Sequence, residues 1–202
     1  MTRYAVFIQP YGILRDSIVA WKHRVNALLP GQPYCSHPPH CTLMVAEMTS
    51  PKEWLGELAC HVGRLSPFHI RVKDTIVFYD DVVTGGHSIA FKAEPCASLY
   101  DLQKTIGSIL SPFAHGLASE LPEAFRKEPY KSSCDAYGFP FLGDHWIPHF
   151  SIASLKIDKE NPLISEFRET HLEFRFMIQK ISIWRVQEDT HRVIAELFLD
   201  NE

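Results

Sequence analysis

Apolar positions along this chain follow two rhythms, and each change of rhythm marks an element. Tyr4 to Gln9 is an apolar run closed by Pro10, which predicts a buried strand. Ile13, Leu14, Ile18, Val19, Trp21, Val25, Leu28 and Leu29 recur at helical spacing and predict a helix over about 12–29, stopped by Pro30-Gly31. A strand over about 39–46 follows. Ser50-Pro51-Lys52-Glu53 has the residue types of a helix start, with Ser50 as the cap and Trp54, Leu55, Leu58, Val62 and Leu65 as the apolar stripe. Residues 68–79 read as a long strand, and Gly85-Gly86 turns the chain into another over about 87–93. Leu99, Leu102, Ile106, Ile109, Leu110 and Phe113 predict a second long helix. A strand over about 147–155, a short helix after Asn161-Pro162, a long strand over about 174–187 and a last one over about 191–199 complete the chain.

This order repeats. Residues of about 4–80 and 87–187 both read β-α-β-α-β, and Ala5–Pro10 corresponds to Ile89–Pro95. His40 lies 36 residues before Ile76, and His149 lies 34 before Ile183. Upstream the halves differ: Phe7 precedes His40 by 33 residues, but Phe91 precedes His149 by 58. The excess falls at about 114–146, rich in Pro and Gly, and is expected to be an inserted loop, with a lid as one role open to it. The expected fold is α/β (α+β), a single domain over 1–202 with two pseudo-symmetric lobes. Each lobe has a mainly antiparallel sheet with outer helices, and a cleft lies between them.

Composition narrows the partners. The 202 residues are 46% hydrophobic and 22% charged, an ordinary globular mix. The net charge of −4 leaves no strong basic patch, so no long nucleic-acid footprint is expected, and any nucleotide partner is small or an RNA end. Five cysteines in no disulfide pattern, no signal-peptide pattern and no long apolar run predict a cytoplasmic chain with no membrane partner. A monomer is expected.

The chemistry concentrates in two short strands. Pro39-His40-Cys41-Thr42 and Pro148-His149-Phe150-Ser151 each place a histidine after a proline and a hydroxyl two residues on. Side chains two apart on a strand share a face, about 6–7 Å apart. Facing each other, two such strands present two imidazoles and two hydroxyls. Imidazoles exchange protons near neutral pH, so one takes a proton from water while the other gives one to a leaving oxygen. Thr42 and Ser151 donate hydrogen bonds to phosphate oxygens. This division of labour needs no metal and no cofactor.

A repeated His-x-Thr/Ser on paired strands of a bilobal fold resembles the two-histidine (2H) phosphoesterase superfamily. That group includes RNA 2′,3′-cyclic phosphodiesterases, also called 2′-5′ RNA ligases. The resemblance implies metal-independent hydrolysis of a nucleoside or RNA-terminal 2′,3′-cyclic phosphate, usually to the 2′-phosphate. It implies acid/base roles for His40 and His149, with His40 as the acid and His149 as the base, and phosphate contacts for Thr42 and Ser151. The specific motif is six residues long, while element order covers most of the chain. RNA ligation or 2′-5′ phosphodiester cleavage at the same site, and non-catalytic binding of nucleotides or RNA ends, are the alternatives.

Trp146, Tyr34 and Tyr11 are candidates for stacking on a base, whereas Phe150, the odd residue of its triplet, is expected in the core. Lys92, Lys131 and Arg185 read as solvated charges. Cys35, His37, His40 and Cys41 fall within seven residues, but Pro38-Pro39 and strand alternation argue against their convergence on zinc. Pro148 likewise keeps His145 from joining His149 on a helix.

Overall fold

The computed structural model describes residues 2–115, 122–187 and 190–200. Eight strands form one antiparallel sheet: β1 (Thr2–Ile8), β2 (Cys41–Met48), β3 (Phe68–Phe78), β4 (His87–Ala93), β5 (His149–Leu155), β6 (Phe174–Ile178), β7 (Lys180–Gln187) and β8 (Thr190–Phe198). Their order across the sheet is β6-β3-β4-β5-β2-β1-β7-β8. Five α-helices accompany them: α1 (Gly12–Leu28), α2 (Leu55–Val62), α3 (Ala97–Leu110), α4 (Lys131–Tyr137) and α5 (Pro162–Arg168).

The sheet has two halves, β2-β1-β7-β8 and β5-β4-β3-β6, joined at β2 and β5. Chain order does not follow this division. After β2 the chain crosses to the other half, where β3 pairs with β4; after β6 it crosses back, where β7 pairs with β1. Helices cross in the same way. α1 packs on β5 and β6 and α5 on β3, while α3 packs on β2 and against α2, which reaches β8. One helical layer thus covers one face of the whole sheet. Leu14, Ile18, Val25, Leu58, Leu99, Leu102, Ile106 and Phe167 meet Leu43, Phe91, Phe150 and Ile152 there in one continuous core.

Two predicted elements form differently. The strand expected over 174–187 is two strands that break at Gln179, because its first part pairs with β3 and its second with β1, on opposite halves of the sheet. Both parts carry β-forming apolar residues, so the sequence does not mark the break. Second, the helix start at Ser50 is only a 3-10 turn, Pro51–Glu53, and Ser50 makes no side-chain cap. Trp54 interrupts it: the fully buried indole donates to the Thr49 carbonyl at 3.3 Å, its backbone leaves the helical region (φ −126°), and α2 begins at Leu55.

The described part of the expected insertion is packed, not extended; its residues 116–121 lie outside the described residues. Leu142 sits on the bare backbone of Gly107 in α3, where a Cβ would come within 2.7 Å of it. Phe125, Tyr130 and Phe141 form edge-on ring pairs at 5.2–5.4 Å. Among the described residues no helix is long and apolar enough to cross a membrane.

Gln103 of α3 is fully buried and closes this joint. Its Nε2 donates to the carbonyls of Leu43 (3.2 Å) and Phe141 (2.8 Å), and its Oε1 accepts from the Gly143 amide at 3.0 Å. Leucine there leaves three buried or half-buried polar groups unmatched, each costing about 1–3 kcal/mol when water cannot replace the partner. Gln103→Leu is therefore expected to lower unfolding free energy by ~3 kcal/mol or more in urea titration, with no measurable loss for Lys131→Ala, which removes only an exposed pair with Asp135.

Candidate active site

The two halves of the sheet touch through a single pair, Cys41 opposite Phe150. Both residues are buried on the helix-covered face, at 1% and 0% exposure. Continuing that antiparallel register by one residue sets His40 opposite Ser151 and Thr42 opposite His149. All four then stand on the uncovered face, and all four are partly open to solvent. The imidazoles occupy one diagonal of this square and the hydroxyls the other. Diagonal placement is what opposed attack and departure at one phosphorus require.

Each imidazole is oriented identically. Nδ1 of His40 lies 2.7 Å from the Pro38 carbonyl, and Nδ1 of His149 lies 2.6 Å from the Ile147 carbonyl. A carbonyl only accepts, so each Nδ1 carries a proton and each Nε2 is left as the acid/base atom. The prolines contribute here. Pro39 and Pro148 hold their own φ and keep the preceding residue extended, which turns its carbonyl back toward the ring.

Rings are also held from the side. His40 stacks on Phe7 at 4.0 Å, and Phe7 is paired with Thr42 across β1 and β2. Phe78 of β3 lies 4.9 Å from His149, and Lys92 of β4 is His149's cross-strand partner. On the β1 side Phe7, Trp184, Val45, Val186 and Ala5 form a small apolar cluster separate from the main core. His37 and His191 face each other nearby, with ring centroids 4.5 Å apart. Phe7, Phe78, His191 and Asp81 escaped the sequence reading because only the tertiary fold brings them to the triplets, and His37 was read there only as a member of the cysteine–histidine cluster.

Burial depresses the proton affinity of both imidazoles. His40 is pushed from 6.5 to about 3, chiefly by loss of water; the Pro38 carbonyl opposes this, and His37, Lys22 and His191 add to it. His149 is lowered too, chiefly by burial, with the Ile147 carbonyl and the Asp81 carboxylate opposing.

The expected stacking residues fare differently. Trp146 is 3% exposed; its ring packs edge-on to Tyr100, and its Nε1 donates to the Thr42 carbonyl at 3.1 Å. It holds the first triplet from behind, and no ring face remains for a base, so its expected role is corrected. Tyr11 is exposed, but its ring leans on Phe176 and its hydroxyl donates to the Met177 carbonyl, fastening it to β6. Tyr34 has a left-handed backbone (φ 67°), and its ring lies 5.7 Å from His37. Burial and the Asp81 charge raise its phenol's proton affinity.

The cysteine–histidine cluster does not converge on a metal. Cys41 faces the core, Cys35 donates to the Lys22 carbonyl, and Nδ1 of His40 faces the Pro38 carbonyl. His145 sits 6.1 Å from Tyr130. Among the described residues no group of three or more His, Cys, Asp or Glu is placed to hold a metal ion. Two shallow depressions, one beside Tyr4 and His115 and one beside Leu29 and Leu163, are lined by none of the square's members.

Comparison with known proteins places the chain in a family. The sequence profile of the 2'-5' RNA ligase superfamily matches residues 14–190, and the chain belongs to that superfamily of two-histidine phosphoesterases and ligases. TT0787 of Thermus thermophilus is 18% identical, with a TM-score of 0.67 and full coverage of both chains. Escherichia coli LigT, crystallised with 3'-AMP, is 12% identical with a TM-score of 0.57 over 99% of each chain. Usb1 of Kluyveromyces marxianus is 11% identical with a TM-score of 0.50 over 98% of each. These likenesses are of fold. Comparison with curated protein sequences returned no match.

Two measurements follow. Long-range 1H–15N spectra are expected to show His40 and His149 as Nδ1–H tautomers when neutral. Both rings bind protons less readily folded than unfolded, so below about pH 6.5 the unfolded chain takes up more protons. Unfolding free energy is expected to fall as pH drops from about 6.5, and to fall less in His40→Asn.

Proposed function

We propose that this protein is a cyclic phosphodiesterase that opens a nucleoside or RNA-terminal 2′,3′-cyclic phosphate. The reading rests on one observation, two Nε2 atoms freed by matching carbonyl contacts on the diagonal of a His/hydroxyl square. A phosphate over that square meets an imidazole on either side and a hydroxyl on either side. One Nε2 takes a proton as water adds to phosphorus. The bond from phosphorus to the 3′ oxygen breaks, and the other imidazole gives that oxygen its proton. The 2′-phosphate remains. Thr42 and Ser151 donate to the non-bridging oxygens, where charge builds. No step calls on a metal.

The net charge of −4 supports a small nucleotide or an RNA end as substrate, and hydrolysis over joining two RNA strands. Crystallisation of LigT with 3'-AMP is in keeping with a nucleotide-sized site on this fold. Cleavage or ligation of 2′-5′ linkages would use the same four residues.

The test is a substrate panel with EDTA present: 2′,3′-cyclic nucleotides, 2′-5′ oligonucleotides and ADP-ribose 1″,2″-cyclic phosphate. Turnover of 2′,3′-cyclic AMP to the 2′-phosphate is expected. His40→Ala and His149→Ala are each expected to lower kcat/KM by ~10²–10⁴-fold, with Thr42→Ala and Ser151→Ala lowering it by ~10²-fold. Binding of 3'-AMP without turnover of any panel member would make the protein a binder instead.

A further inference from the structure

Strand alternation turns one cation toward the site. Phe91 and Ala93 of β4 are fully buried in the main core, on the helix-covered face. Lys92 between them therefore stands on the uncovered face, and its cross-strand partner on β5 is His149. It reads from the sequence as a solvated charge, yet the fold half-buries it. Among the described residues it makes no hydrogen bond and no ion pair. Asp74 stands opposite it on β3 without pairing with it.

Other cations around it are neutralised. Arg71 and Lys73 of the neighbouring β3 are held by Glu94, and Arg71 also by Glu173. In the other half of the sheet Arg3 pairs with Glu47 and Lys180 with Glu196. Arg175 is exposed on the edge strand β6, three strands from β5. An ammonium drawn half out of water with no counter-charge is held at a cost in free energy, and a bound anion offsets that cost.

Position decides which anion. The reacting phosphorus belongs between β2 and β5, where two imidazoles and two hydroxyls already meet it. Lys92 lies one strand farther out, about 4.8 Å beyond β5 and on the far side of His149. Along the same row the outer neighbour on the opposite side is Phe7, an apolar ring. In a nucleoside 2′,3′-cyclic phosphate the reacting group occupies the 2′ and 3′ oxygens, and the ribose oxygen left to carry a second phosphate is the 5′. A cation beside the square but outside it fits a phosphate there.

We propose that Lys92 is a specificity-determining residue that binds a phosphate on the 5′ oxygen of the reacting nucleotide. The favoured substrate then carries such a phosphate, as an RNA 3′ end does, and is not a bare nucleoside cyclic phosphate. This rests on the cyclic phosphodiesterase reading and narrows its substrate. The 5′ phosphate does not change during the reaction, so its contact with Lys92 is equally strong before and during bond breaking and acts through KM.

The test compares kcat/KM for 2′,3′-cyclic AMP, its 5′-phosphorylated form and adenylyl-adenosine 2′,3′-cyclic phosphate. Wild-type protein is expected to favour one or both of the last two by ~10-fold, through KM. Which of them is favoured tells a terminal monoester from an internucleotide diester. Lys92→Gln is expected to erase the preference, and Lys92→Arg to keep it. A preference that survives in Lys92→Gln, or its absence from the wild type, overturns the proposal. An equal loss on all three substrates in Lys92→Gln assigns Lys92 to the reacting phosphate and overturns it too. Calorimetric titration with 3'-AMP and adenosine 3′,5′-bisphosphate reads the same contact without turnover. Wild-type protein is expected to bind the bisphosphate ~10-fold more tightly, and Lys92→Gln to bind both alike. That result with no turnover of any cyclic phosphate would sink the phosphodiesterase reading and leave the Lys92 site standing. Equal wild-type binding of the two ligands would sink this proposal alone.

Discussion

Everything on the uncovered face depends on how little β2 and β5 touch. They meet at Cys41 and Phe150 and diverge at once. A full ladder there would spend the backbone groups of both strands on each other. Divergence leaves those groups to be met by other parts of the chain. Trp146 and Gln103 take the carbonyls of Thr42 and Leu43 on one side. On the other, Lys22 takes the Ile152 carbonyl, the Ser154 amide donates to the Pro33 carbonyl, and the Lys156 amide donates to Gln32. A wedge thus fills the gap behind the site, with the four reactive side chains at its apex.

That arrangement explains why residues so far from the triplets matter to them. The square of side chains is only as rigid as the two edges behind it, and those edges are held by side chains from α1, α3 and the packed segment before β5. The prolines add a local constraint of the same kind, fixing a carbonyl against each Nδ1. Position is set from behind, and tautomer from within the strand.

Much of this was legible in the sequence. The two triplets, the β-α-β order and the boundaries of β4 follow from period and punctuation, because alternation and helical spacing are local signals. What stayed hidden is non-local. The run from Phe174 to Gln187 reads as one strand because nothing in its hydropathy says that its ends belong to different halves. Trp146 looks like a free aromatic ring beside a histidine, and only packing shows its face covered and its N–H engaged. Nothing in the sequence marks Lys22 as buried, because its carbonyl partners lie on a loop and a strand more than a hundred residues apart.

The crossing of β3 and β7 has one more consequence. Neither half of the chain owns a complete half of the sheet: a fragment ending near residue 115 holds β3 without β5 or β6, and the remainder holds β7 without β1. Each piece alone would expose long apolar strand edges, which favour pairing with other chains. Such interlocking makes the two segments obligate complements.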